Sequence, residues 1–217
     1  GAVSASYDAG IMIHPLLECY QATGNEKALL LAEGLVQYLV EESQDYGEDG
    51  SFTGHFHCHT ATAAGVALYG LLANENRYVD WARQVYEFAK SQGTSFGWFP
   101  EVAGRQDDKI GCETCIITDM IETARLLIGA GHTEYWDDIE RFARNHLIES
   151  QILRTGWLKQ TRCAEDTRRA TFARIPERII GGFAGWSAPN DVLAYVESFL
   201  PDRFENIPAG YYNGKVR

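Results

Sequence analysis

Three helical hairpins, each joined by a short polar corner, constrain the fold of this chain more than any other feature. The corners lie at residues 23–27, 73–77 and 131–134, and they contain the Gly, Asn and Glu residues that commonly end one helix and begin the next. Lys27, Arg77 and Glu134 mark equivalent positions, separated by 50 and 57 residues, close to the length of one hairpin with its loop. The pattern predicts an all-α fold of stacked hairpins, with residues 1–217 as a single domain.

The helices that follow the corners carry apolar residues at helical spacing. The clearest stripe belongs to the second hairpin and consists of Tyr78, Trp81, Ala82, Val85, Phe88 and Ala89. A second stripe, in the return helix of the third hairpin, consists of Trp136, Ile139, Ala143, His146 and Leu147. No segment has a convincing strand pattern, and after Gln151 the periodicity gives way to a glycine-rich stretch at 179–191.

Two connections, at residues 44–54 and 91–111, are longer than the roughly 2–8 residues typical of helical bundles. Both occur opposite the tight corners, so we expect them to lie on the same rim of the hairpin stack. Long loops gathered on one rim are where ligand pockets usually form. The rim is therefore where the sequence predicts chemistry.

Charge and composition exclude several classes of partner. A net charge of −11 disfavours nucleic acid and anionic membranes, which would repel the chain. No stretch approaches the roughly 18 apolar residues of a membrane span, so we expect a soluble protein, either cytoplasmic or periplasmic. The five cysteines are odd in number and irregularly spaced, which favours reduced thiols or metal ligands over a disulfide scaffold.

The first candidate site contains His55, His57 and His59, directly before the second hairpin. In an extended backbone, residues two apart share a face, so these histidines could supply metal ligands. A neutral imidazole also offers one hydrogen-bond donor and one acceptor, which suits the hydroxyl groups of a sugar. Alternatively, one histidine caps the helix and the others pack in the core. The sequence leaves these interpretations open.

The second candidate lies in the second long loop, where Trp98 precedes Glu101 by three residues. Carbohydrate sites combine an aromatic ring, on which a sugar stacks, with a carboxyl group that protonates a leaving oxygen. Trp98 suits the core equally well.

The third candidate is the segment Cys112-Glu113-Thr114-Cys115. Thr114 suits the N-cap of the next helix, which would place Cys115 near the positive end of the helix dipole. Glu113 and Cys115 converge on one metal ion only if the backbone at the cap is non-helical. The alternatives are a redox pair of Cys112 with Cys115 and a pair of small buried side chains.

Several segments occur in the order typical of one enzyme family. They are Tyr7-Asp8-Ala9-Gly10, Ala22-Thr23-Gly24-Asn25, Gly54-His55, Gly111-Cys112-Glu113-Thr114-Cys115, Asp119-Met120, Arg144 to Gln151 and Gly185-Trp186-Ser187. Together they resemble the bacterial β-L-arabinofuranosidases of glycoside hydrolase family 127 and their relatives. The resemblance implies an (α/α)6 barrel, a toroid of six hairpins. Three hairpins would be about half of it, so we expect an incomplete toroid or a piece of a longer protein.

The resemblance also implies a retaining hydrolysis in which a cysteine thiolate attacks the anomeric carbon. A zinc ion held by one Glu and three Cys keeps that thiolate ready, and a separate Glu is the general acid/base. By position, Glu113 and Cys115 correspond to two of the zinc ligands, and Glu101 is the candidate acid/base. The expected catalytic residues are Glu101 and Glu113, and the expected sugar contacts are His55, His57, His59, Trp98 and Trp186.

One departure from the family pattern is serious. The family has an adjacent Cys-Cys pair downstream, which supplies the nucleophile and a further zinc ligand, whereas here Cys163 is the only thiol after Cys115. Two ligands do not make a tight zinc site, which generally takes four. Three functions therefore compete: hydrolysis of an arabinofuranoside-like glycan, non-catalytic binding of a sugar or protein, and sugar epimerisation or isomerisation with the histidines as acid and base.

Overall fold

The computed structural model describes residues 4–94, 97–104, 111–154 and 178–185. These residues form an all-α fold with one short β-ribbon. The α-helices are α1 Ala5–Asp8, α2 Ile13–Thr23, α3 Glu26–Gln37, α4 Phe56–Ala73, α5 Asn76–Ser91, α6 Thr114–Gly129 and α7 Trp136–Phe142. The strands are β1 Gly54–His55 and β2 Val102–Ala103, and shorter helical turns occupy Gly10–Met12, Tyr38–Glu42, Thr133–Tyr135, Ala143–Leu147 and Ile148–Ser150. None of the described helices combines the length and apolar character needed to cross a membrane.

The three predicted hairpins are confirmed, as α2–α3, α4–α5 and α6–α7. Gly24 ends α2 at φ 70° and Asn74 ends α4 at φ 56°, both in the left-handed conformation that closes a helix. Asn25 caps α3 as predicted, since its side chain accepts a hydrogen bond of 3.1 Å from the Lys27 N–H. Local sequence chemistry therefore determines the first two corners.

Helix α4 is the centre of the molecule. It is apolar on all sides and packs against α2, α5 and α6, with one buried cluster on each flank. Gly65 allows α2 to come close, because a Cβ at this position would lie 2.8 Å from Ile13 Cβ. A central helix held on several sides gives a rigid base for the residues at its N-terminus.

The two long connections meet, as the sequence predicts. Strand β1, which precedes α4, pairs antiparallel with β2 from the second connection, and Gly54 and His55 lie opposite Ala103 and Val102. Two-residue strands are too short to show an alternating pattern, so they could not be predicted from the sequence. The ribbon brings the two candidate loops onto one rim.

The return helix of the third hairpin follows the predicted stripe except at Trp136, its first position. Trp136 is 58% exposed, whereas Tyr135 and Phe142 are buried. A wider helical turn at Ala143–Leu147 follows α7. His146 is completely buried in this turn, and neither ring nitrogen has a hydrogen-bond partner among the residues that the structure describes.

Burial of His146 predicts a pH-dependent loss of stability. Desolvation lowers the pKa of the imidazole to about 4 in the folded chain, so the unfolded chain binds the proton first as the pH falls. Above about pH 6.5, the neutral His146 therefore makes its full contribution to the free energy of unfolding. This contribution, on the order of 2–3 kcal/mol, is lost as the pH falls towards 4. We expect His146→Leu to unfold with a weaker pH dependence over this window, measured by urea denaturation. Equal pH dependence in both proteins would contradict this.

Candidate functional site

Three separate segments converge at the N-terminal ends of α4 and α6. His55 ends β1, Glu101 precedes β2, and Glu113 is the N-cap of α6. Their backbones are joined, because the Phe56 N–H donates to the Glu101 carbonyl at 2.9 Å and the Glu101 N–H donates to the Gly111 carbonyl at 2.8 Å. The ribbon thus fixes the two loops relative to the helices.

Glu113 is held by a chain of side-chain hydrogen bonds. His55 Nε2 lies 2.8 Å from Glu113 Oε2, and His55 Nδ1 lies 3.0 Å from Cys58 Sγ. Burial raises the pKa of the Cys58 thiol to about 11, so the thiol keeps its proton. The two ring nitrogens of His55 bridge Cys58 and Glu113, so the imidazole orients the carboxylate of Glu113.

Glu101 completes a group with these two side chains. One ligand atom each from His55, Glu101 and Glu113 lies within 4.8 Å of the others, and all three residues are partly exposed. Two carboxylates and one imidazole are the donor types that a divalent cation accepts. Two carboxylates this close are also the arrangement found in retaining glycosidases, in which the carboxyl groups are about 5–5.5 Å apart.

A second group lies beside the first. His57 Nδ1 is 2.7 Å from Asp119 Oδ2, and Thr60 Oγ1 donates to the same oxygen at 2.8 Å. The hydrogen bond with Asp119, and then one with Cys115, raise the pKa of His57 to about 10. The rings of His55 and His57 are 6.1 Å apart and nearly perpendicular, so the two groups adjoin.

The extended backbone on which the metal interpretation of the three histidines depended is not present. Helix α4 begins at Phe56, so His57 and His59 lie in its first turns. His59 is 2% exposed, stacks on Phe52 at 4.5 Å and bonds through Nδ1 to the His55 carbonyl, and burial lowers its pKa. His59 therefore belongs to the core and has no surface left for a sugar.

The structure also corrects the role expected for Trp98. Its side chain is 2% exposed and lies in the main core cluster with Phe99 and Phe142. A stacking platform needs an exposed ring face. Trp98 therefore anchors its loop in the core and offers no ring face to a ligand. Glu101, three residues later, is partly exposed on the rim.

Thr114 does not have the predicted role, because Glu113 is the N-cap and Thr114 is the first residue of α6. The Thr114 N–H donates to the Gly185 carbonyl at 2.9 Å, and its hydroxyl donates to the Ala184 carbonyl. The glycine-rich stretch therefore docks beside Glu113. Trp186 follows directly in the sequence, and the sugar contact predicted for it lies outside the described residues.

The zinc site implied by the family resemblance does not fit the residues present. Of four expected ligands, the described chain offers Glu113 and Cys115, and Cys163 lies outside the described ranges. The group that surrounds Glu113 contains His55 and Glu101 but not Cys115, which neighbours His57.

Sequence reasoning missed Asp119, Cys58 and Thr60 as parts of the site. Asp119 lies four residues after Cys115, one turn along α6, and this spacing is the signal that could have revealed it. Cys58 and Thr60 gave no such signal, because their roles depend on how α4 docks against α6.

Comparisons with known proteins agree with the fold. No family model matches the sequence, and no curated protein matches it. Among solved structures, the chain is similar to the glycoside hydrolase family 76 mannosidase Bt3792 from Bacteroides thetaiotaomicron VPI-5482, with a TM-score of 0.52 and 19% identity. The match covers 61% of this chain and 41% of that enzyme, so the chain spans less than half of its length. The prediction of an all-α toroid is confirmed, with a glycoside-hydrolase-like fold rather than family 127 in particular.

Proposed function

We propose that this protein hydrolyses glycosidic bonds with Glu101 and Glu113 as its catalytic carboxylates. The observation that carries the proposal is the approach of Glu101, Glu113 and His55 to within 4.8 Å on one rim. Paired carboxylates at this separation support a double displacement with retention of the anomeric configuration. The likeness in fold to a mannosidase supports a carbohydrate as the substrate.

The two carboxylates take different roles because their surroundings differ. The hydrogen bond from His55 holds Glu113 in one orientation, which suits a nucleophile that must meet the anomeric carbon along one line. Glu101, in the loop before β2, lies within reach of Glu113 and acts as the general acid for the leaving oxygen. In the second step the same group accepts a proton from the water that releases the sugar.

The proposal also concerns which sugar the protein hydrolyses. The family resemblance favours an arabinofuranoside, whereas the protein of similar fold is a mannosidase. His57 remains a predicted contact for a sugar hydroxyl, since its ring lies beside that of His55 on the same rim. A substrate panel must therefore include both furanosides and pyranosides.

The test is turnover of aryl glycosides by the purified chain. We expect release of nitrophenol from at least one member of a panel containing α- and β-arabinofuranosides and mannosides, and proton NMR should show retention in the first product. Inversion would contradict the paired-carboxylate mechanism. Binding of a sugar without turnover would favour the non-catalytic module, and solvent deuterium entering an uncleaved sugar would favour an epimerase.

The same three side chains predict weak affinity for a divalent cation. We expect added Zn²⁺ to bind at about one ion per chain, because one imidazole and two carboxylates supply three suitable donors. Isothermal titration of the wild type and of His55→Ala measures this, with Cys115→Ser as the control that should bind equally. Loss of binding in Cys115→Ser, with His55→Ala unaffected, would instead support the ligand pair predicted from the sequence.

A further inference from the structure

An exposed aromatic ring lies beside the catalytic side chains and has no part in the carboxylate mechanism. Tyr7, on α1, is 54% exposed, and the centre of its ring lies 6.3 Å from that of His55 at an angle of 59° between the rings. His55 in turn lies 2.8 Å from Glu113, the proposed nucleophile. Trp98, the ring that the sequence predicts as a sugar contact, is buried in the core. Tyr7 has the open surface that Trp98 lacks.

Exposure alone indicates little, because single aromatic residues are common on protein surfaces. The other exposed aromatic residues in the described ranges are Tyr38, Trp136 and Phe183. Within those ranges, no ring contact joins any of these three to His55 or His57. The ring on α1 differs from them in its position and in the way that its backbone is held.

The residues on both sides of Tyr7 are fixed to the body of the protein. Ser6 is completely buried, and its N–H and its hydroxyl donate to two side chains of the 44–54 connection, at 2.7 Å and 3.0 Å. Gly10 lies so close to α4 that an added Cβ would collide with the side chain of Thr62. The exposed ring therefore projects from a short helix that is attached at both ends.

The same attachment continues to His55. The Ser6 hydroxyl donates to the Tyr46 hydroxyl, which donates to the His59 carbonyl at 3.2 Å. His59 Nδ1 then donates to the His55 carbonyl at 2.8 Å. Three hydrogen bonds therefore connect α1 with the residue that orients the nucleophile. A ring held in this way keeps its position relative to the carboxylates, which reduces the entropy lost when a ligand binds between them.

We propose that Tyr7 is the stacking platform for the glycone, the sugar whose bond the protein cleaves, a proposal that rests on the glycosidase function above. A sugar has apolar C–H faces and a polar edge of hydroxyl groups, so an aromatic ring covers a face while polar side chains contact the edge. The nucleophile bonds to the anomeric carbon of the glycone. Tyr7 lies beside His55, which holds that nucleophile, and it therefore covers the glycone rather than the leaving group.

The test compares variants of the intact chain on the aryl glycoside that it hydrolyses. Tyr7→Ala should raise KM at least about fivefold and leave kcat within about threefold, because stacking on the glycone is present in the ground state and the transition state alike. Tyr7→Phe keeps the ring and should leave KM within about twofold. Trp136→Ala is the matched control and should change neither constant, since it removes an exposed ring beyond the far end of α6, whose 16 residues span about 24 Å.

A second measurement needs no hydrolysis. Tetranitromethane nitrates exposed tyrosines, and peptide mass spectrometry measures the nitration rates of Tyr7 and of Tyr38, an exposed tyrosine after α3 that serves as the internal control. An excess of L-arabinose or of D-mannose should slow the nitration of Tyr7 and leave that of Tyr38 unchanged. Protection of Tyr7 without turnover of any aryl glycoside would support the platform and count against the paired carboxylates.

Three results would overturn the platform. The first is an unchanged KM in Tyr7→Ala, once circular dichroism shows that the variant is folded. The second is a loss of kcat at unchanged KM, because Tyr7 would then act through His55 and not on the sugar. The third, where no glycoside is hydrolysed, is nitration of Tyr7 that neither sugar slows.

Discussion

Replacing Glu113 by Gln is expected to abolish hydrolysis of aryl glycosides, with a loss of about 10⁴-fold or more in kcat. The amide keeps the shape of the side chain but cannot attack the anomeric carbon. Glu101→Gln should lose about 10²–10⁴-fold with a poor leaving group, because protonation of the leaving oxygen is lost. With a dinitrophenyl leaving group, which needs little protonation, most of the Glu101→Gln activity should return, whereas Glu113→Gln should remain inactive.

Glu134→Gln is the matched control for both variants. Glu134 lies 59% exposed at the corner before α7, so the same change there should leave kcat within about twofold. If Glu101→Gln and Glu113→Gln responded equally to the leaving group, the division of roles between acid and nucleophile would be wrong. Full activity in both variants would contradict the proposal that Glu101 and Glu113 are the catalytic carboxylates.

Gly50→Ala is expected to cause the largest loss of stability, about 4 kcal/mol in the free energy of unfolding. Gly50 has φ 79°, and a Cβ there would lie 2.5 Å from the backbone carbon of Gln84 on α5. The substitution therefore adds left-handed strain to a backbone clash that no side-chain rotation relieves. Urea denaturation monitored by circular dichroism measures the loss.

Gly24→Ala separates these two causes. Gly24 has φ 70°, close to that of Gly50, but nothing lies within 4 Å of an added Cβ. This variant should lose about 1 kcal/mol, the cost of the left-handed conformation alone. Equal losses in the two variants would mean that the 44–54 connection is not docked on α5 as described.

The helical hairpins and their corners could be predicted because the signals are local. A helix stripe and a left-handed Gly24 or Asn74 depend on residues within about one turn of each other. The same holds for the cap at Asn25. The meeting of the two long loops was predicted only from their common position in the hairpin order, and the β-ribbon that joins them carries no local pattern.

The site was predicted in part. Glu101, Glu113 and His55 share one rim in the structure, as the sequence suggested. Trp98 and His59 do not reach it, because whether an aromatic or imidazole side chain points to the rim or the core depends on how α4 and the second loop pack. Asp119 is part of the site for a similar reason, because the packing of α6 against α4 brings its carboxylate to His57. Residue type indicates which chemistry is available, and packing determines which side chains reach the rim.

The most direct test of the paired carboxylates is covalent trapping with a 2-deoxy-2-fluoro aryl glycoside of the sugar that the chain hydrolyses. Such a compound forms the glycosyl-enzyme and releases it slowly, so peptide mass spectrometry can locate the sugar. The proposal predicts one sugar per chain, attached to Glu113. Attachment to Cys115, or to a residue outside the rim of His55, Glu101 and Glu113, would contradict it.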